Sequence, residues 1–175
     1  MKKGTYENKI LKYWWSVGYE VHGTVRSLKN KQRLQHLYDS EKEFPQGKLI
    51  LFEADLGKKG SFDSAIEGNH YGLISLNLIQ GCTYVIHTAA PVEVVYTDPI
   101  KNLVEPAIEG TKNVLDSCGK SKSVKRIVMT SSVWAVTSWC EDRGKNYQFT
   151  EKDFNDWAQI EYGKFWITIT KIYSK

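Results

Sequence analysis

The side chains spaced for chemistry in this sequence sit just past short apolar runs. Arg26 follows the alternating stretch Glu20–Val25, and Asp55-Leu56 follow Lys48–Glu53. His87-Thr88-Ala89-Ala90-Pro91 end the run YVIHT, and Thr130-Ser131-Ser132 close RIVMT. A guanidinium is a planar fork for anions. A carboxylate at a strand end either serves a ligand or caps the next turn, and a serine there either serves a ligand or caps a helix. The densest basic run, Lys29 to Arg33, contains Asn30 and Gln32 and reads as a solvated face. His87 reads as a core histidine with no catalytic role. Cys82, Cys118 and Cys140 are odd in number with no close pair, which argues against a disulfide framework and against a CxxC metal or redox site.

The bulk properties bound what such residues can serve. The 175 residues fit a single domain but are short for a cofactor domain plus a substrate domain. An apolar share of 41% and a charged share of 25% are those of a globular chain. The net charge of +4, from 24 basic against 20 acidic residues, is scattered. No zinc-finger spacing, RNP-type aromatic motif or basic stripe supports a nucleic-acid partner. Met1-Lys2-Lys3 is followed by Glu7, Asn8, Lys9 and Lys12 rather than an apolar h-region. No window approaches the roughly 18 apolar residues of a membrane span. The expectation is a cytoplasmic protein with no metal, no membrane partner and an undetermined oligomeric state.

Positioning these residues requires strands, and four are legible: Glu20–Val25, Lys48–Glu53, Tyr84–Thr88 and Arg126–Thr130. The last three are the short apolar runs of a parallel sheet buried on both faces. Gly18 marks the C-cap of a helix over Asn8 to Val17, with Ile10, Trp14 and Val17 expected on its inner side. A short helix is expected over Asp63 to Glu67. A longer one has Asp98 as N-cap, Pro99 at its first position and Leu103, Ala107, Gly110 and Val114 on one face. Thr150 to Asp153 reads as a capping start. Strands alternating with helices predict an α/β, Rossmann-like doubly wound parallel sheet.

Five segments in order carry a family resemblance: GYEVHGTVR (Gly18 to Arg26), LFEADLGKKGSFDSAIEG (Leu51 to Gly68), YVIHTAAP (Tyr84 to Pro91), DPIKNLVEPAIEGTKNVLDSC (Asp98 to Cys118) and VKRIVMTSS (Val124 to Ser132). Together they resemble the extended short-chain dehydrogenases of the dihydroflavonol reductase and cinnamoyl-CoA reductase kind, in the NAD-dependent epimerase/dehydratase superfamily. The resemblance implies NADP(H) as cofactor and a small-molecule carbonyl substrate. It places Arg26, and with it Arg33, at the ribose 2′-phosphate, Asp55 and Leu56 at the adenine ring, and Thr88, Ala89 and Ala90 beside the cofactor where strand order reverses. Ser132 would hydrogen-bond the substrate carbonyl. A Tyr and Lys of a YxxxK motif would deliver the proton, the cation lowering the phenol pKa; here Tyr173 and Lys175 are the candidates.

Three departures from that pattern are visible. Only Gly4 and Gly18 precede Glu20, so the glycine-rich phosphate loop and the first, central strand of the family are absent from residues 1–17. Residues 69–81 read as an insertion whose LISLNLI run is odd for an exposed loop. No complete YxxxK follows Ser132, since Lys175 has Lys171 four positions before it. The expectation is a single partial NAD(P)-binding domain over 1–175, truncated or inactive, lacking the first strand and the substrate domain. The alternatives are a non-catalytic α/β binding protein and a nucleotide-sugar epimerase or dehydratase relative. Thr137, five residues after Ser132, gives no support for flavonoid specificity.

Overall fold

The computed structural model describes residues 6–68, 81–91, 98, 100–131, 144, 146–150 and 153, with side chains from residue 9 onward. Helix α1 (Tyr6–Ser16) leads into β1 (Glu20–Val25), α2 (Lys31–Glu41), β2 (Lys48–Glu53) and α3 (Asp63–Glu67). Then come β3 (Tyr84–His87), a π-helical turn (Ile100–Val104), α4 (Glu105–Lys120) and β4 (Arg126–Met129). Gly18 ends α1 as its residue type predicts: at φ 83° it takes the left-handed conformation, donating to Trp15 O while Tyr19 N–H donates to Trp14 O, both at 3.0 Å.

The inner side of α1 differs from the expectation. Trp15 is fully buried and Leu11 packs with it, whereas Val17 is 51% exposed. The run Tyr13-Trp14-Trp15 puts an aromatic on every face, so periodicity could not single out the core-facing one. Trp14 instead stacks edge-on against Tyr19, with ring centroids 4.8 Å apart.

Both strand pairs are parallel, β1 with β2 and β3 with β4. Alternation along the first pair divides the core. Val21, Val25, Leu49 and Leu51 join Trp15 of α1 and Leu34 of α2 in one cluster. His22 and Phe52 point the other way, where His22 reaches α3 at Ala65 O. Ala54, just past β2, packs with Phe62, Ile66, Val114 and Cys118 and with Val85 of β3, so α3 and α4 tie the two sheets together. Helices on both faces of parallel strands make this the doubly wound α/β fold.

The helical run expected from Asp98 has its cap and face, while α4 proper begins only at Glu105, with no side-chain cap of its own. Asp98 Oδ1 accepts from Ile100 N–H at 3.1 Å and Lys101 N–H at 3.2 Å, and Leu103, Ala107, Gly110 and Val114 are all buried. Its first turn is wound as a π-helix rather than an α-helix. Pro106 supplies no N–H and crowds the carbonyl four residues back, which favours a wider turn there.

Among the described residues no ladder joins β1 to β3. The bonds flanking each pair fix its parity. Lys48 N–H to Tyr19 O and Ala54 N–H to Val25 O turn the odd residues of β1 toward β2, and Lys125 N–H to Thr83 O and Thr130 N–H to His87 O turn the odd residues of β3 toward β4. The backbone groups of Glu20, His22, Thr24, Tyr84 and Ile86 therefore point away from their ladders. Strand β4 departs from the buried expectation: Ile127 is 36% and Val128 51% exposed.

Candidate functional site

Because all four strands are parallel within their pairs, the expected site residues leave the carboxyl ends of strands. Arg26 follows β1 and Asp55 follows β2, adjacent exits held together by the Ala54 N–H to Val25 O bond of 2.9 Å. Arg26 is exposed and makes no ion pair among the described residues. The loop beyond it is held by Glu53, whose Oε2 accepts from Leu28 N–H at 3.1 Å. Asn30 caps α2 by accepting from Arg33 N–H at 3.1 Å. Lys29, Lys31 and Arg33 are exposed around this helix start, where the macrodipole adds positive potential.

Asp55 is committed in part to its own loop. Its Oδ1 accepts from Gly57 N–H at 2.9 Å, its N–H donates to Ser61 Oγ at 3.1 Å, and its carbonyl accepts from Ser61 Oγ at 2.7 Å and Lys58 N–H at 3.0 Å. The turn-capping role left open by the sequence is thus realised. Leu56 is half-buried against the α3–α4 cluster.

Thr88, Ala89 and Ala90 follow β3, with Ala89 exposed and the other two half-buried. Beside them Thr130 leaves β4, its hydroxyl donating to His87 O at 3.3 Å. His87 is a buried core residue, 8% exposed, as its setting in an apolar run suggests. Ser131 is exposed. Ser132, Tyr173 and Lys175 lie outside the described residues, as does the segment from residue 69 to 80. The groups at these exits that could hold the adenosine end of a nicotinamide dinucleotide are a guanidinium with no ion pair among the described residues, a carboxylate edge, and small side chains that leave room for close approach.

A second polar cluster lies between β1 and the start of β3. His22 Nδ1 is 2.7 Å from Ala65 O and therefore carries a proton, Nε2 lies 3.2 Å from Glu20 Oε1, and Cys82 Sγ is 3.3 Å from Nδ1. Burial raises the Glu20 carboxyl, but the hydrogen bonds from Lys48 and His22 outweigh it and hold the group below its ordinary value. Burial pushes the Cys82 thiol up, which disfavours its thiolate. Among the described residues no group of three or more His, Cys, Asp or Glu could hold a metal ion, and no helix is long and apolar enough to cross a membrane.

Comparison with known proteins places this geometry. Residues 74–152 match the 3-beta hydroxysteroid dehydrogenase/isomerase family. Anthocyanidin reductase of Arabidopsis thaliana is 37% identical over 134 residues, covering 77% of this chain and 35% of that protein. Cinnamoyl-CoA reductase CAD2 of Medicago truncatula is 36% identical over 156 residues, covering 88% and 43%. Among solved structures, Gre2 of Candida albicans in complex with NADPH superposes with a TM-score of 0.75 at 27% identity, over 98% of this chain and 48% of that one. The chain thus carries a Rossmann-like short-chain reductase domain of the 3-beta hydroxysteroid dehydrogenase and NAD-dependent epimerase family. Within that class its homologues are plant anthocyanidin and cinnamoyl-CoA reductases, which makes it part of an oxidoreductase family. The chain spans 35% to 48% of the length of these relatives.

Proposed function

We propose that this chain is the adenosine-binding portion of an NADPH-dependent reductase acting on a ketone or aldehyde. The observation that carries the reading is Arg26: exposed, free of ion pairs among the described residues, and one strand exit away from Asp55. An unpaired guanidinium there suits a ribose 2′-phosphate, where an acidic residue would suit the 2′-hydroxyl of NAD. Arg33, Lys29 and Lys31 add cationic potential on the same rim, Asp55 and Leu56 take the adenine, and Thr88, Ala89 and Ala90 line the path of the cofactor. NADPH, when bound, supplies the hydride. Ser132 holds the substrate carbonyl, and Tyr173 with Lys175 supplies the proton in this reading.

The glycine-poor segment 1–17 lacks a cradle for the pyrophosphate. The chain by itself is therefore proposed to bind NADPH weakly and to show no reductase turnover. The test is a titration of the purified chain, followed by ¹⁵N NMR, with adenosine 2′,5′-bisphosphate and with AMP. The reading expects tighter binding of the bisphosphate, with shifts at Arg26 and Asp55. Equal affinities would remove the NADP assignment, and measurable turnover with NADPH would remove the inactive reading.

A further inference from the structure

Helix α4 carries an unusual polar residue on its inner face. Asn113 is 7% exposed, and its Nδ2 donates to Leu56 O at 2.7 Å. One turn earlier Gly110 lies so close to the same residue that a Cβ there would stand 3.0 Å from Leu56 Cβ and 3.4 Å from Leu56 Cδ2. The loop contacted is the one that carries Asp55. Its internal bonds run between Asp55, Gly57, Lys58 and Ser61 and leave the Leu56 carbonyl to Asn113.

Neither residue is the choice of a helix left to itself. Gly and Asn are both poorer helix formers than Ala or Leu, and a buried amide is costly unless bonded. An apolar residue at 113 would continue the core formed by Val114 and Cys118. What Asn113 adds is a fixed position for one carbonyl, and what Gly110 adds is the room for Leu56 to approach the helix.

We infer that Asn113 and Gly110 are positioning residues for the adenine subsite: they clamp Leu56 from α4 and so set where Asp55-Leu56 present themselves at the end of β2. The inference rests on the reading that Asp55 and Leu56 meet the adenine. Adenine-dependent affinity then depends on the clamp, whereas discrimination for the 2′-phosphate depends on Arg26.

The experiment is the same NMR titration, with adenosine 2′,5′-bisphosphate and AMP as the probes, on four variants of the whole chain. Asn113→Leu keeps the number of side-chain heavy atoms and removes the donor; about tenfold weaker binding of both nucleotides is expected, with their affinity ratio unchanged, as for loss of one buried hydrogen bond. Gly110→Ala removes no polar group but pushes Leu56 aside, and the same pattern is expected even if Asn113→Leu fails to fold. Leu11→Ala, in the separate cluster around Trp15, is the control for a merely structural role and should lower the melting temperature without changing either affinity. Arg26→Ala should change the ratio alone. Folded Asn113→Leu or Gly110→Ala with wild-type affinity for both nucleotides would overturn the clamp while leaving the site reading intact. A wild-type chain that binds neither nucleotide would overturn the site reading and the clamp together.

Discussion

Arg26 and Gly47 show how much a single residue can decide through its surroundings. If the Arg26 fork meets a 2′-phosphate, charge-assisted hydrogen bonds of about 1.5–3 kcal/mol are at stake. Arg26→Ala should then reduce the preference for adenosine 2′,5′-bisphosphate over AMP by roughly ten- to a hundredfold. Arg33→Ala should have a smaller effect, since its side chain stands one turn into α2. Calorimetric titration of both variants checks the ranking, and an unaltered preference in Arg26→Ala would exclude it from the site. Gly47 is constrained by packing: a Cβ there would stand 2.6 Å from Trp15 Cα, a backbone atom that can retreat only if α1 moves. Gly47→Ala should cost about 1–3 kcal/mol in urea unfolding, as overpacking does.

At the scale of elements, α1 is anchored by one side chain. Trp15 is fully buried, so Trp15→Ala should cost about 3–5 kcal/mol. Its Nε1 has no hydrogen-bond partner among the described residues, so Trp15→Phe, which removes that buried donor, should cost clearly less. Equal losses would mean that the ring volume matters less than this packing implies. Helices α3 and α4 are joined by Asp63 and Lys120 at 2.7 Å. The hydrogen bond from Lys120, with Ser117 beside it, holds the Asp63 carboxyl below its ordinary 3.8. A carboxyl lowered on folding stabilises the native state above that value, and the contribution is lost as pH falls from 3.8 through the lowered value. The pair is partly exposed, so the effect is small. Asp63→Asn should flatten the acid limb of the stability curve and leave its neutral region nearly level, which thermal unfolding across that range would register.

At the scale of the whole molecule, the described strands form two parallel pairs tied by helices, with no ladder between the pairs among the described residues. The groups of Glu20, His22, Thr24, Tyr84 and Ile86 that point away from their ladders have no backbone partner among the described residues. Their amides should exchange with solvent on the order of tenfold faster than those of Val21, Gly23 and Val25, which face β2. Uniform protection along β1 would show that another segment pairs with its second edge. Each such group costs roughly 1–3 kcal/mol if kept from water, against a total stability of about 5–15 kcal/mol. The fold therefore depends on its two helical clusters.

The sequence by itself determined the local elements. The bounds of β1, β2 and α3, the Gly18 cap and the Asp98 cap followed from alternation, apolar runs and residues that satisfy helix ends, all short-range physics. It also determined the class, because five segments in order matched one family, and it named Arg26 and Asp55 at strand exits. Tertiary structure decided what depends on contacts distant in sequence. Trp15, not Trp14, faces the core because β1 and β2 lie against that side of α1. Asn113 was visible only as one polar residue in a helical run; that it holds the carbonyl of Leu56, 57 positions earlier, is a fact of packing. Periodicity reports which residues share a face, but which face is covered, and by what, is set by where the other elements come to rest.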